Sequence, residues 1–293
     1  MQGYRSPRST ILAALCAALL LGGCSALRVG YNQADWLAYR WLNNYADFDD
    51  AQARGTREAL STWFLWHRKT QLADYQDVLL RIDAEVLGDT SAARTCNWWG
   101  AVRTRIDLAG LKAVPAIANI ATTLKPAQLE SIERRYAKTN AEYRDDFMQN
   151  DRARRNTEAA KRAVSRAEWL YGDIDSFQRE RIERWVADSP FDPELVFEER
   201  RRRQQDALQT LRKRAEKRVD SATAEAEIKS WIERMGRSPS ESYRQHSARV
   251  LQHSCRLAAD IHNSTSAPQR RTASAKLKGW AADLRALAVE TAD

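Results

Sequence analysis

The chain has 293 residues, of which 29% are charged and 43% hydrophobic, a globular composition that excludes low-complexity disorder. Only 11 glycines and 7 prolines are present, fewer than the turns of an all-β chain usually need, so the composition favours helices. The formal net charge of +8 and the ten tryptophans indicate a basic protein whose large rings need a core or a partner surface.

The first 23 residues have the order of regions found in a secretory signal peptide. A polar start carrying Arg5 and Arg8 precedes an apolar stretch over residues 11–21, which is shorter than the roughly 20 residues of a membrane span. The next residues, Leu21-Gly22-Gly23-Cys24, resemble the bacterial lipobox. The resemblance implies that residues 1–23 are removed and that Cys24 is lipidated. It leaves residues 24–293 as one periplasmic domain.

Ser25 follows Cys24, at the position where an Asp would favour retention at the inner membrane. We therefore expect a lipid-anchored protein on the periplasmic face of the outer membrane, whose contact with the membrane is the lipid on Cys24.

Helix formers and apolar residues at helical spacing predict helix almost throughout the mature chain. Pro115 is expected to kink or split the third helix. The segment Asp192-Pro193-Glu194 is a helix start, and no breaker follows until Gly236, which allows a helix of up to about 40 residues, roughly 60 Å long. The predicted fold is all-α, an elongated bundle of long antiparallel helices. Its helices are expected over residues 31–45, 50–87, 90–124, 126–166, 176–187, from 192 onward, 240–262 and 267–288.

Four of these helices open with a similar five-residue form. A hydrophobic or small residue precedes a presumed N-cap, and a Gln follows three residues after the cap, as in a capping box. Lys125 has no side-chain acceptor, so the second copy is imperfect. Four independent helix starts are enough to explain the repeat. The copies are Phe48-Asp49-Asp50-Ala51-Gln52, Leu124-Lys125-Pro126-Ala127-Gln128, Ile174-Asp175-Ser176-Phe177-Gln178 and Thr265-Ser266-Ala267-Pro268-Gln269.

Two resemblances rest on these residues. The repeated form is similar to the LTxxQ motif of Spy/CpxP-type periplasmic chaperones, although no copy contains Leu-Thr. That resemblance implies a helical cradle for unfolded clients. The chain also looks like an uncharacterised family of bacterial lipoproteins, which implies a helical periplasmic lipoprotein without catalytic residues. The residues that carry the second resemblance are Cys24-Ser25-Ala26-Leu27-Arg28-Val29-Gly30-Tyr31-Asn32, Asp35-Trp36, Trp41-Leu42, Tyr171-Gly172, Ile174-Asp175, Gln178 and Ser189-Pro190-Phe191.

The sequence contains none of the catalytic or metal-binding motifs that we sought. There is no His-Glu-x-x-His, no Cys-x-x-Cys, no glycine-rich phosphate loop after a strand and no Gly-x-Ser-x-Gly. His246 and His253 are seven residues apart and would share a helical face, but no further metal ligands are identifiable. We therefore expect no enzyme activity, no metal and no cofactor.

A basic run is the sharpest charge feature. Export makes nucleic acid an implausible partner, which leaves anionic lipid head groups, peptidoglycan carboxylates or acidic client segments as polyanions. The alternative is a solvated helix face with pairs such as Glu199–Arg203 at i,i+4 spacing. The candidate binding residues are Arg200, Arg201, Arg202, Arg203, Arg212, Lys213 and Arg214.

Cys96 and Cys255 are the thiols that remain after the signal peptide and Cys24 are set aside. Both lie on predicted amphipathic helices in a protein expected in the oxidising periplasm, so a disulfide is one alternative. Two separate buried thiols are the other.

Together these features predict a non-catalytic binding role, chaperone-like or in envelope maintenance, with unfolded or acidic periplasmic proteins as partners. The alternative function is a structural lipoprotein that docks one specific envelope protein.

The lipobox generates the first testable prediction. Replacing Cys24 by Ser removes the sulfur that would carry the lipid, so the variant is expected to leave the membrane fraction. Cell fractionation with a high-salt wash measures this. Retention of the variant in the washed membranes would contradict the lipobox assignment.

Overall fold

The computed structural model describes residues 26–149, 151–217 and 219–290. The expected signal peptide, Cys24 and Arg218 lie outside these residues. Within the described part the chain forms 13 α-helices and no strand, which confirms the all-α prediction. The helices are α1 (Ala26–Asn32), α2 (Ala34–Ala46), α3 (Asp50–Thr70), α4 (Leu72–Glu85), α5 (Ala92–Lys112), α6 (Val114–Ala121), α7 (Pro126–Phe147), α8 (Arg152–Tyr171), α9 (Ser176–Ala187), α10 (Pro193–Glu216), α11 (Ser221–Gly236), α12 (Glu241–Asn263) and α13 (Ala267–Val289).

Three predicted long helices are interrupted. The helix expected over residues 50–87 ends at Thr70 and a new helix begins at Leu72, so that continuous helix was wrong. The helix expected from residue 192 onward ends at Glu216, and the helix expected over 126–166 ends at Phe147. In each case an Asp caps the next helix: the side chain of Asp220 accepts from Thr223 N, and that of Asp151 accepts from Ala153 N. These local helix starts compete with continuation of the preceding helix, so the prediction that these two helices are continuous was wrong.

The helices pack in antiparallel pairs. One group has its core among α2, α6, α7, α10 and α11, with α3 packed against α2 and α6. The other has its core among α4, α8, α9, α12 and α13, with α5 packed against α12. Helices α3 and α4 meet at Gln71, and α5 meets α6 at Ala113, beside Pro115, so both connections run from one group to the other.

The four repeated helix starts are joined in two reciprocal pairs. Gln52 Nε2 donates to Gln128 Oε1 at 3.0 Å, and Gln128 Nε2 donates to Gln52 Oε1 at 2.6 Å. Gln178 and Gln269 exchange two hydrogen bonds of 2.9 Å in the same way. We call these the first and the second glutamine pair. The sequence alone shows four helix starts, whereas the structure shows that each start holds another one.

Each glutamine makes the same further contacts. Its Oε1 accepts the backbone N–H of its own N-cap, at 2.8–3.1 Å in the four copies. Its Nε2 donates to the carbonyl two residues before the cap of the paired copy, and these acceptors are Thr123, Asp47, Ser264 and Asp173. Since every amide atom is engaged on both loops, the two helix starts are held together as well as capped.

Lys125 departs from this pattern in an informative way. Its ammonium cannot accept the N-cap hydrogen bond, so only the Gln128 half of the capping box forms. Its Nζ instead lies 2.9 Å from Asp49 Oδ2, the cap of the paired helix. The first pair thus gains an ion pair across the two loops where the other copies have a second cap contact.

A buried histidine supports the second pair. His262 Nε2 lies 2.7 Å from Gly88 O, and the Tyr171 hydroxyl lies 3.0 Å from its Nδ1. A carbonyl only accepts, so Nε2 carries the proton and Nδ1 accepts from the tyrosine. Burial lowers the pKa of His262 and raises that of Tyr171 to about 12, so both groups are neutral near pH 7.

The structure brings Cys96 and Cys255 together in a disulfide, with their Cα atoms 5.4 Å apart. The bridge joins α5 to α12, and Thr95 Oγ1 donates to Cys255 O at 2.9 Å beside it. Helix α5 has no buried residue, so apolar burial holds it only weakly. The bridge adds a covalent attachment to the packing of α5 against α12.

The second glutamine pair generates a stability prediction. Gln178→Met leaves buried polar groups on both loops unpaired, each costing about 1–3 kcal/mol, so we expect a loss of about 2–4 kcal/mol. Denaturant melts of a form starting at Ser25 measure this loss. Gln252→Met, at an exposed position on α12, is the matched control. Additive effects of Gln178→Met and Gln269→Met would contradict a coupled pair.

The disulfide generates a second prediction. Periplasmically expressed protein, denatured without reductant, is expected to show no reactive thiol in the form starting at Ser25, and two after reduction. Reduction is expected to destabilise the fold by about 2–5 kcal/mol. Two thiols before reduction would show that the cysteines are not paired in the cell envelope.

Candidate functional site

A cavity of about 660 Å³ lies where α2, α6, α7, α10, α11 and α12 converge. This volume is within the range of roughly 300–1,000 Å³ that is typical of small-molecule sites. Most of its wall is apolar, and aromatic side chains supply much of it. These include Trp41, Tyr45, Phe48, Tyr136, Tyr143, Trp231 and Tyr243.

Helix α10 forms the long wall of the cavity. Val196, Arg200, Arg203, Ala207 and Leu211 line it at i, i+4, i+7, i+11 and i+15, which is one face of a helix. At 1.5 Å per residue this row is about 22 Å long. After Val196 the row carries Arg200 and Arg203, and its second half is apolar, so the cavity has a charged end and a hydrocarbon-like end.

The first glutamine pair shapes the apolar end. Phe48 and Leu124 each lie immediately before an N-cap of that pair, and both line the cavity. The end of α10 at Glu216 has a related effect, because α11 packs along α10 and brings Trp231 and Met235 to the wall. The cavity therefore depends on the loops of the first glutamine pair and on the end of α10. Helical periodicity in the sequence describes these places least.

Glu199 organises the charged end. Only 4% of Glu199 is exposed, and it accepts from Arg202 at 2.8 Å, Arg203 at 2.7 Å and Ser238 at 2.9 Å. Burial alone would raise the pKa of this carboxyl, but the three hydrogen-bond donors outweigh it and the pKa is lowered. Glu199 is thus an ionised structural anion that orients the two arginines.

Arg200 has no carboxylate partner among the described residues. Its Nε donates to Asn140 Oδ1 at 2.8 Å and its Nη2 to Thr139 O at 3.4 Å, while the guanidinium lies 5.6 Å from the Tyr143 ring centre. Arg200, Arg203 and Glu199 are the charged residues among those lining the cavity, so their formal charge is +1.

The remaining polar groups of the wall are neutral. Burial raises the pKa of Tyr136 and Tyr143, which keeps both phenols protonated. The indole Nε1 of Trp231 is buried without a hydrogen-bond partner in the described structure.

The seven basic residues singled out in the sequence do not form one free surface. Arg202 and Arg203 are held by Glu199, as the i,i+4 alternative expected, and the charges further along α10 also have partners. Arg212 pairs with Glu133, and Lys213 and Arg214 both lie beside Glu227. Arg214 is only 1% exposed. Arg201 is exposed and makes no ion pair with any described residue. Most of the run is therefore neutralised within the chain.

The histidines considered for metal binding are separated by their partners. His246 Nε2 faces the backbone N–H of Asp192 at 3.5 Å, and His253 Nε2 faces Trp185 O at 2.7 Å. In the described part of the chain, no group of three His, Cys, Asp or Glu side chains is placed to hold a metal ion. None of the described helices is long and apolar enough to cross a membrane.

Sequence reasoning missed the cavity, although one signal for it is present. Arg200 and Arg203 interrupt the apolar row that Val196, Ala207 and Leu211 define on α10. A charge in the inward-facing row of a helix needs a partner or a ligand, and this distinguishes it from a charge on the solvent face. Because the prediction rested on the net charge of the whole basic run, it did not separate inward-facing arginines from solvent-facing ones.

Comparison with known proteins gives one match. No curated protein and no solved structure is detectably similar to the chain. Residues 44–244 match the model of a family of unknown function, DUF6279. The matched region contains both glutamines of the first pair and all of the residues that line the cavity except Trp41 and Leu42. Since the match covers more than half of the chain, the protein belongs to the DUF6279 family.

Proposed function

We propose that this protein is an outer-membrane lipoprotein, exposed to the periplasm, that binds an apolar ligand in the cavity without catalysing a reaction. The observation that carries the proposal is the cavity itself, with its aromatic wall and its single charged end. Water in such a space finds few polar partners at the apolar end, whereas an apolar ligand would restore dispersion contacts to the lining side chains.

The chemistry of the wall supports binding over catalysis. The lining residues include no Ser, Thr, Cys or His that would act as a nucleophile or as a proton shuttle. Glu199, the carboxylate among them, accepts from three donors and has a lowered pKa, which makes it a weak general base.

An exposed row on α5 supports a second candidate role. Trp99, Val102 and Ile106 are exposed at i, i+3 and i+7, so they form an open apolar strip. A chaperone-like protein would hold unfolded segments on such a strip, in keeping with the LTxxQ-like helix starts. A scaffolding lipoprotein would dock one envelope protein there.

Binding of an uncharged apolar fluorophore, N-phenyl-1-naphthylamine, tests which surface binds. All of the described helices lie within the form that starts at Ser25, so this form is used. We expect Ala207→Leu and Ile117→Trp, which narrow the cavity, to weaken binding at least tenfold. Ile106→Ser on α5 is the matched control and should leave binding unchanged. If only Ile106→Ser loses binding, the binding surface is the α5 strip and the cavity proposal is wrong.

A further inference from the structure

We infer that the ligand of the cavity is an acyl chain with an anionic head group, a fatty acid or a lysophospholipid, whose head group contacts Arg200 and Arg203. This inference rests on the proposed function and names the ligand class for it. Three observations carry it: the length of the cavity, the arginine N–H donors without a protein acceptor at its charged end and the lack of side-chain hydrogen-bonding groups at its other end.

The length fits one acyl chain. The lining row on α10 extends about 22 Å, from Val196 to Leu211. One leaflet of a bilayer is about half of the 30 Å hydrocarbon core, so an extended acyl chain is about 15 Å long. From Arg200 to Leu211 the row measures about 16 Å, so the cavity accommodates one such chain with its head group beside Arg200.

The charged end is suited to an anion. Arg200 Nη1 and both terminal nitrogens of Arg203 donate to no acceptor among the described residues. Guanidinium groups present paired N–H donors that match the two oxygens of a carboxylate or a phosphate. Because Glu199 already holds Arg203 through Nε, the fork of that arginine is oriented before a ligand arrives.

The other end disfavours a polypeptide. Ala207, Leu211, Ile117, Ile120 and Leu124 offer no side-chain hydrogen-bonding groups. A peptide inserted there would bury backbone N–H and C=O groups, and each unpaired group would cost free energy. A hydrocarbon chain carries no such groups, so its burial there is favourable throughout.

The position of the cavity points to the bilayer as the source of the ligand. Trp41 lines the cavity and is 59% exposed, and the neighbouring Trp36 and Leu37 on α2 are also exposed. Trp41 is only 17 residues after Cys24 in the sequence. Tryptophan favours the membrane–water interface. A lipid on Cys24 would thus keep the rim of the cavity near the membrane surface.

The experiment compares dodecanoate with dodecanol, which share a chain and differ in charge. Isothermal titration of the form starting at Ser25, at pH 7.5, is expected to show dodecanoate binding at least tenfold tighter. Arg200→Gln should remove most of this preference, because it should weaken dodecanoate binding far more than dodecanol binding. Arg201→Gln, the adjacent exposed arginine outside the cavity, is the matched control and should preserve the preference.

The outcomes separate the two proposals. Equal affinity for both ligands would overturn the anionic head group and leave the apolar-binding function intact. Binding of neither dodecanoate nor dodecanol, with the fluorophore also unbound, would overturn both. If Arg200→Gln and Arg201→Gln reduce the dodecanoate preference equally, the preference arises from general surface charge, and the proposed contact with Arg200 is wrong. If Arg200→Gln does not fold, the wild-type ligand ratio and Arg203→Gln decide the question. A parallel titration with lysophosphatidylglycerol shows which head group the site prefers.

Discussion

The reciprocal bonding of glutamine side chains across two helix starts is the interaction on which the rest of the structure depends. A capping glutamine normally serves its own helix, with its oxygen on the N-cap amide. Here the nitrogen of the same amide donates to a second helix start. The capping interaction therefore also restrains two helices that are distant in sequence. Gln52 and Gln128 are 76 residues apart, and Gln178 and Gln269 are 91 apart. Hydrogen bonds between buried amides are directional, so they specify one register where apolar packing alone would tolerate several.

The cavity follows from that restraint. Phe48 and Leu124 precede the two caps of the first pair, and their side chains form part of its wall. The loops therefore cannot shift to fill the space without breaking the amide pair. The same reasoning applies to Glu199, whose three donors hold α10, Ser238 and the guanidinium of Arg203 in one arrangement. These polar networks thus keep an apolar cavity open. A core held by apolar packing alone, without such hydrogen bonds, would close it.

Much of the fold was predictable because helical periodicity and capping are local properties. The start at Ser176, the end at Ala187 and the split near Pro115 are read from neighbouring residues alone. Where Asp220 and Asp151 start new helices, cap signals were present but were outweighed by the absence of glycine and proline. The pairing of the glutamines and the distribution of the α10 charges were not predictable, because both depend on residues that are distant in sequence. Arg200 and Arg201 are identical residues at adjacent positions. Only the packing of α10 places Arg200 in the cavity and leaves Arg201 in solvent.

The pairing of α4 with α13 has a consequence for how the chain reaches its native state. Leu72 on α4 is buried against Leu284 and Leu287 on α13, more than 200 residues later. During synthesis the N-terminal part emerges first, so the apolar face of α4 has no partner until the last helix arrives. The residues that line the cavity, in contrast, are all present once residue 243 has been synthesised. The two groups of helices therefore assemble at different times. The group around the cavity can close early, while the group that contains the disulfide waits for the C-terminus.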